Sequence, residues 1–448
     1  MIETFKNAFK IPELRAKLIF TFIIIILYRI GSAIPVPFVS SEAISELFNT
    51  QSDANLSDTI FGYLNILSGN AFSQATLFAL GISPYITSSI IMQLLTIAIP
   101  ALERLQKSGD DGRKKITQIT RYVTVLLGLI TGYGYYMFCR GYNLLNNKTV
   151  FAGIVIVACY SAGSALIMWL GEKINENGIG NGISIILFSN IISVLPTTVM
   201  SNVNNIISKA STGANPAGDV IVEIVKSAVI AAIAVVLVAF VVFMSNAERR
   251  LQVQYSKRVV GRKMYGGQST HLPIKVNMSG VMPIIFASSI VSMPITVISF
   301  INSQPEYGTP LRFVYDLFST TSILYIVLTF ALIIAFSYFY ISISFNPIEV
   351  ANNLKKNGGF IPGIRPGKPT TDYITKILNK IVLIGGLFLA VVAVFPLTAN
   401  AISAAAFNTR SAIAFGGSSL LIVVGVALET TREIEAQMSM RHYKGFLE

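Results

Sequence analysis

Long runs of apolar residues without charge recur along the chain and constrain its fold more than any other feature. A helix of about 20 apolar residues is enough to cross a bilayer. In a chain that is 53% hydrophobic and only 12% charged, such runs predict an all-α polytopic membrane protein. Ten candidate transmembrane helices follow, at Leu18–Ile34, Thr76–Ile99, Tyr122–Phe138, Thr149–Leu170, Ile183–Val199, Ser227–Met244, Met278–Phe300, Ser322–Phe345, Ile381–Thr398 and Ser411–Leu428.

One uncharged stretch, from Thr59 to Leu102, is 44 residues long, which is too long for a single crossing. Its first part is rich in Gly, Ser and Asn and is only weakly apolar. Irregular backbone at membrane depth is tolerated where it is buried in protein or lines a cavity. We therefore predict a short re-entrant helix in front of the second membrane helix.

The positions of Lys and Arg favour the same topology. With a cytoplasmic N-terminus, 27 of the 34 Lys and Arg residues fall in cytoplasmic segments and five in external ones. Arg29 and Lys226 are assigned to helix ends, from which long basic side chains can extend to the membrane surface. Such an excess is typical of cytoplasmic loops. If residues 61–75 crossed the membrane, the first two basic segments would face opposite sides, so the distribution favours the re-entrant interpretation.

Ten helices with both termini in the cytoplasm can divide into two halves of five. Because five is odd, the second half enters the membrane from the opposite side, as in an inverted repeat. We predict an N-terminal half over residues 1–200, an external hinge loop over 201–219, a C-terminal half over 220–429 and a cytoplasmic tail over 430–448.

Catalytic and ion-coupling groups are scarce inside the predicted helices. No helix interior holds Asp, Glu, Lys or His, and Glu223 and Glu429 lie at helix ends. Ion-coupled transport and intramembrane hydrolysis usually need such groups, so we expect no enzyme activity, no metal site and no cofactor. The stretch NGIGNG, residues 177–182, joins two apolar runs and is interpreted as a tight interhelical turn. The energy for any transport through this chain would therefore have to come from a partner protein at the cytoplasmic face.

The cytoplasmic loop over residues 246–280 is the most basic segment. From Arg249 to Asn277 it holds seven Lys and Arg residues and no acid. Apolar and polar residues alternate around Leu251, Val253 and Tyr255, which predicts a protruding β hairpin.

A second basic loop, over residues 346–380, is built from Pro and Gly turns. Basic loops of this kind suit anionic lipid, a phosphate backbone or an acidic protein surface. The alternative is that their charge only fixes the topology. Rigid corners in loops of about 30 residues go beyond what topology requires, so we favour a docking role.

Sequence blocks spread over nearly the whole chain together resemble the SecY family, the channel subunit of the bacterial protein-translocation machinery. Their order and spacing make the resemblance specific. The blocks are YRIGSAIPVP (28–37), NILSGNAFSQATLFALGISPYITSSIIMQLL (65–95), GRKKITQITRY (112–122), WLGEKINENGIGNGISII (169–186), QSTHLPIKVNMSGVMPIIFASSI (268–290), FNPIEVANNLKKNGGFIPGIRPGKPT (345–370) and GGSSLLIVVGVALET (416–430).

The resemblance implies two inverted five-helix halves around a central pore, closed by a plug at about residues 61–74. The implied plug residues are Phe61, Tyr63, Leu64, Asn65, Ile66, Leu67, Ser68 and Gly69. A ring of apolar side chains is implied at the constriction, formed by Ile82, Ile86, Leu187, Ile191, Ile285 and Ile422. The spacing of four residues within the first two pairs places each pair on one helical face. Leu187 departs from the isoleucine that is more usual in the family.

The resemblance also implies a lateral gate between the second and seventh helices and docking positions in the two loops. Gate residues would be Thr87, Ser88, Ser89, Gln93, Ser288, Ser289 and Met293, with ordinary helix packing as the alternative. Docking residues would be Arg365, Lys257, Arg258, Arg262, Lys263, Lys355 and Lys356, and Arg365 stands on a corner made rigid by Pro and Gly.

As a family member, the chain would conduct unfolded secretory polypeptides and release apolar segments sideways into lipid. Its implied partners are the small membrane subunits SecE and SecG, the motor ATPase SecA, the ribosome, precursor proteins and anionic lipid, and its implied location is the bacterial cytoplasmic membrane. A secondary solute transporter is the competing hypothesis, because such proteins also use inverted repeats and broken helices.

Overall fold

The computed structural model describes residues 6–49, 60–212, 216–255, 258–260, 263–265, 269–301, 309–319, 322–407 and 417–444. Over these residues the chain is mainly helical. The helices are α1 Pro12–Gly31, α2 Ser41–Asn49, α3 Ile60–Ser68, α4 Ser83–Ala98, α5 Pro100–Lys107, α6 Asp110–Gly141, α7 Val150–Asn177, α8 Gly182–Thr212, α9 Pro216–Asn246, α10 Met282–Ile301, α11 Pro310–Leu317, α12 Ile323–Ser344, α13 Pro347–Lys356, α14 Lys368–Phe407 and α15 Gly417–Lys444. The strands are β1 Glu248–Tyr255, β2 Arg258–Val260, β3 Lys263–Tyr265, β4 Ser269–Lys275 and β5 Gly359–Phe360.

Each of the ten predicted membrane helices has a helical counterpart: α1, α4, α6, α7, α8, α9, α10, α12, α14 and α15. Among the described residues, five helices are long and apolar enough to cross a membrane on their own, in α6, α7, α9, α12 continued by α13, and α14. The pair α4 and α5, bent by 101°, adds a sixth if it forms one span. The apolar parts of α8 and α10 are shorter. Helix α1 carries charged residues towards both ends, and α15 carries them towards its C-terminal end.

The predicted re-entrant helix is confirmed. Helix α3 has nine residues, so it is only about 14 Å long and cannot cross the bilayer. The chain then returns, and Thr76 forms a β-bridge with Pro35, while the Val36 N–H donates to the Ala75 carbonyl at 3.0 Å. Since this bridge follows the end of α1, the chain after α3 returns to the end of α1.

The described residues fall into two compact units. The first comprises Met1–Ile230, Ser288–Tyr325 and Val426–Glu448, and the second comprises Ala231–Ala287 and Ile326–Gly425. The division into halves at residues 201–219 stays a prediction.

In the first unit, α6 packs along α7, and α4 and α8 pack against them. The turn after α3 is held in this core through Phe72. Its ring lies edge-on to that of Tyr135, with centroids 4.7 Å apart, and the Tyr135 hydroxyl donates to the Phe72 carbonyl at 2.8 Å. The side chains of Phe72 and Tyr135 are buried, so the segment that follows the re-entrant helix is fixed to the helix bundle.

Gly163 on α7 allows α7 to approach the chain that leads into α4. A Cβ at this position would lie 2.0 Å from the Leu77 carbonyl oxygen, closer than two atoms can approach. We expect Gly163→Ala to lower the free energy of unfolding by about 1–3 kcal/mol, as overpacking does. Thermal unfolding of the detergent-purified protein would measure this loss.

Gly132→Ala on α6 is the matched control. Its new Cβ would meet its nearest neighbour, the Val157 carbonyl oxygen, at 3.4 Å, which is ordinary contact. Equal melting temperatures for the two variants would contradict the packing described for Gly163.

In the second unit, β1 is the central strand of a three-stranded antiparallel sheet ordered β4–β1–β5. Leu251 and Val253 on β1 are buried on one face, which confirms the predicted hairpin. Arg258 pairs with Tyr265 in a second, two-stranded ladder of β2 and β3. The two basic loops are therefore joined by a common sheet, because β5 belongs to the second loop.

Candidate pore, plug and docking sites

All six predicted ring residues are buried. Four of them, Ile82, Ile86, Leu187 and Ile191, belong to the first unit, and Ile285 and Ile422 belong to the second. Burial excludes lipid exposure for these side chains, although apolar side chains can be buried in a pore ring or in ordinary packing alike. The pore role of the six stays a prediction.

The two pairs in the first unit have the helical spacing that the sequence predicted. Ile82 is the N-cap residue of α4, and the Ile86 N–H donates to its carbonyl at 3.0 Å. Leu187 and Ile191 lie one turn apart near the start of α8, so each pair lies on one face of its helix.

The re-entrant helix ends in a glycine turn of the Schellman type. Gly69 adopts the left-handed conformation with φ +68°, and its N–H donates to the Ile66 carbonyl at 3.1 Å. The Asn70 N–H donates to the Asn65 carbonyl at 2.9 Å. This pair of bonds satisfies two of the carbonyls that a helix end leaves open, and the Asn65 Oδ1 additionally accepts the Ser73 N–H at 2.9 Å.

This end of α3 lies next to both pairs of ring residues. The Asn190 Nδ2 donates to the Leu67 carbonyl at 2.8 Å, and a Cβ on Gly69 would lie 3.2 Å from the Asn190 Cα. On the other side, a Cβ on Gly81 would lie 3.6 Å from the Ser68 Cα. Asn190 directly precedes Ile191, and Gly81 directly precedes Ile82, so the end of α3 lies beside the backbone that carries these ring residues.

The predicted plug residues differ in how much the structure describes. Ser68 is buried, and Leu64, Asn65, Ile66, Leu67 and Gly69 are half-buried, with Leu64 packed against the core of the first unit. The side chains of Phe61 and Tyr63 lie outside the described part of the chain. Partial burial fits an element that packs closely without forming a deep core.

Arg29 lies in the last turn of α1, as predicted, and its side chain contacts neighbouring elements. Its guanidinium donates through Nη2 to the Ser189 carbonyl of α8. It also lies over the Tyr28 ring, 5.7 Å from the centroid, and its Nη1 is 3.1 Å from where a Cβ of Gly69 would be. Arg29 therefore links α1, α8 and the end of α3.

Ser88, one of the predicted gate residues, faces α6. It is fully buried, and its hydroxyl lies 2.6 Å from the Thr124 Oγ1 and 3.3 Å from the Thr120 carbonyl, both on α6. The physical reason is helical phase. Ser88 follows Ile86 by two residues, so it lies about 200° round the helix from it.

The roles of all the gate residues stay predictions. The Gln93 Nε2 contacts the Ser89 Oγ of its own helix at 3.4 Å. Thr87 and Ser289 are half-buried, Ser288 is buried, and Met293 is 47% exposed.

Arg365 combines an exposed side chain with a fixed backbone. Its carbonyl accepts the Thr370 hydroxyl at 2.9 Å, and Gly363 and Gly367 on either side adopt positive φ angles of 82° and 107°. The neighbouring Ile361 is buried in a core cluster with Val253 and Leu354, which anchors the corner to the sheet.

The other predicted docking residues are described in part. Lys355 and Lys356 are exposed in the last turn of α13. Only the backbone of Arg258 and Lys263 is described, in β2 and β3, and Lys257 and Arg262 lie outside the described residues.

Solved protein-conducting channels share this fold. One has a TM-score of 0.65 at 16% identity, with 95% of this chain and 92% of that chain covered. Sec61 in the canine ribosome-channel complex from the endoplasmic reticulum has a TM-score of 0.59 at 14% identity, with the same coverage. The fold class is therefore that of the polytopic helical channels.

Sequence comparison identifies the family within this class. The family model SecY matches residues 76–431. The protein translocase subunit SecY of Streptomyces coelicolor is 43% identical over 457 residues, and that of Mycobacterium bovis is 40% identical over 461 residues, each match covering all of both chains. The chain belongs to the SecY family.

Proposed function

We propose that this chain is the protein-conducting channel of a Sec translocase, with α3 as the plug and the six buried apolar residues as the constriction. One observation carries the proposal beyond family membership. The end of α3 lies beside Gly81 and Asn190, which directly precede Ile82 and Ile191. A closing element would have to occupy such a position.

The chemistry of the ring suits a channel for unfolded chains. Apolar side chains offer no fixed hydrogen-bond partners to a passing polypeptide, and a narrow apolar constriction excludes ions when it is empty because water leaves it. The role requires that all six side chains be shielded from lipid, and all six are buried.

The exposed basic corner at Arg365 supports docking of an external motor. A guanidinium presents planar donors to carboxylate or phosphate groups, so an acidic motor surface or ribosomal RNA would fit. One solved relative, yeast Ssh1, is described as bound to the 80S ribosome. We propose the ATPase SecA and the ribosome as alternating partners here, and SecE and SecG as the accompanying small subunits.

The topology proposed for the bacterial cytoplasmic membrane places both termini and both basic loops in the cytoplasm. It is supported by the distribution of Lys and Arg and by the β-bridge that returns the chain after α3 to the end of α1. In this topology apolar substrate segments would leave between α4 and α10, near Thr87, Gln93 and Ser289.

Site-directed photo-crosslinking of a stalled secretory precursor tests the proposal. Probes at Ile86, Ile191, Ile285 and Ile422 should form adducts that depend on motor and ATP. The control position is Ile384 on α14, whose side chain is 56% exposed. Equal or absent labelling at the ring positions would contradict a polypeptide pore, and uptake of small solutes without a motor would favour the transporter alternative.

A further inference from the structure

The C-terminal end of α3 needs a partner from outside the helix. The glycine turn uses the carbonyls of Asn65 and Ile66, but the last four carbonyls of a helix all lack intrahelical donors. The Leu67 carbonyl accepts no hydrogen bond from this turn. The Asn190 side chain of α8 donates to it at 2.8 Å.

Asn190 has no exposed surface, and its Oδ1 has no hydrogen-bond partner among the described residues. The bond from its Nδ2 to the Leu67 carbonyl ties this buried amide to α3, beside the Tyr28 hydroxyl, which also interacts with the Asn190 side chain. If α3 moved away, the bond between the Asn190 Nδ2 and the Leu67 carbonyl would be lost, and an intramolecular hydrogen bond of this kind is a net stabilisation even where water can replace it. The contact consequently opposes displacement of α3.

Arg29 strengthens the same attachment. Its guanidinium is bonded to Ser189, the residue before Asn190, and lies beside Gly69 at the end of α3. Carbonyl groups give a helix C-terminus a partial negative charge, which a nearby cation stabilises. The absence of a side chain at Gly69 permits this approach, since a Cβ would lie 3.0 Å from the Ser193 Oγ and 3.1 Å from the Arg29 Nη1.

We propose that Asn190 and Arg29 form a latch that holds the end of α3 on α8 and sets how readily a substrate displaces it. The latch rests on the proposed role of α3 as the plug. Both are positioning residues, because they act on the plug and not on the translocating chain.

The test is the reactivity of a cysteine placed in α3. Ser68 is buried, so Ser68→Cys should react slowly with a maleimide in the resting protein, with Cys139→Ala and Cys159→Ala removing the native thiols. Adding Asn190→Leu should accelerate this reaction about tenfold, as expected from loss of one buried hydrogen bond. Asn190→Asp, which keeps the size but removes the donor, should act in the same direction.

Asn175→Leu is the control, the same substitution at an exposed asparagine that also bonds to α8. Its Oδ1 accepts the Gly182 N–H at 2.7 Å at the start of α8, so the same substitution removes a bond to this helix away from α3. Its labelling rate should equal that of the parent. Equal acceleration by both variants would indicate general loosening and overturn the latch, as would an unchanged rate in both Asn190 variants.

Arg29 is tested in the same reporter protein. Arg29→Gln should accelerate labelling, and Arg29→Lys should restore part of the protection because it keeps the charge but not the forked guanidinium. If Arg29→Lys were labelled as fast as Arg29→Gln, the charge of Arg29 would have no part in the latch.

Adding a substrate distinguishes failure of the latch proposal from failure of the plug proposal. A stalled precursor should make Ser68→Cys reactive in the parent with the latch intact. If it does not, the plug role fails whatever the resting rates show. If it does, but the Asn190 and Arg29 variants match the parent at rest, the plug role stands and the latch fails.

Discussion

Reversing the charge of Arg365 is expected to reduce motor-driven translocation at least about tenfold, because close charge pairs across interfaces couple by roughly 1.5–7 kcal/mol. The Arg365 side chain is exposed. The hydrogen bond that fixes this corner is made by the backbone, because the Arg365 carbonyl accepts the Thr370 hydroxyl. Arg365→Glu should therefore keep the corner's backbone and change only the charge that it presents. ATP-dependent import of a precursor into proteoliposomes measures the loss.

Two variants make this result specific. Arg365→Lys keeps the charge but loses the bidentate geometry, so an intermediate rate is expected. Lys148→Glu makes the same change in net charge at an exposed residue just before the start of α7 and should import at the parental rate. If Arg365→Glu imported as fast as the parent, this corner would have no part in motor docking.

Ile191→Asn is expected to make the resting channel leak ions. Ile191 has no exposed surface and follows the latch residue Asn190 on α8. A polar amide favours water in a constriction that apolar side chains keep dry. Since burying an unpaired amide costs about 1–3 kcal/mol in proteins, we expect the hydrated state to gain about tenfold or more in population, with a matching rise in resting conductance across a planar bilayer.

The neighbouring Ile192→Asn is the control for this experiment. Its side chain is 36% exposed, so the same substitution one residue later points away from the buried face. It should lower stability in the membrane without raising conductance. Similar leakage from both variants would mean that Ile191 serves general packing of α8 and not a seal.

The helices were predictable from the sequence because their signal is local. Each crossing needs its own run of about 20 apolar residues, and each of the ten runs overlaps a helix. The run predicted from Thr76 is helical only from Ser83, because residues 76–82 form a bridge and turns, and residues 411–416 of the last run lie outside the described part of the chain. The hairpin of the long loop was predictable for the same reason, since the alternation at Leu251 and Val253 is the two-residue period of a strand with one buried face.

Contacts between distant segments were not predictable. The family resemblance assigns Ser88 to the gate, but it does not reveal that the Ser88 hydroxyl contacts Thr124 on α6. Arg29 looked like a helix-end cation, and Asn190 was not singled out. Their contacts, to Ser189 and to Leu67, join residues 160 and 123 positions apart. No periodicity in one sequence carries that information.

The bridge between Pro35 and Thr76 has a consequence for how the channel would reclose. The Ala75 carbonyl is bonded to Val36 and Phe72 is buried against Tyr135. A released α3 therefore stays tethered by the three residues between Ser68 and Phe72, a link of about 10 Å when fully extended. Return of α3 is then an intramolecular reaction, with an effective concentration of the order of millimolar for a short flexible tether. Resealing after each substrate should accordingly proceed at a rate independent of protein concentration.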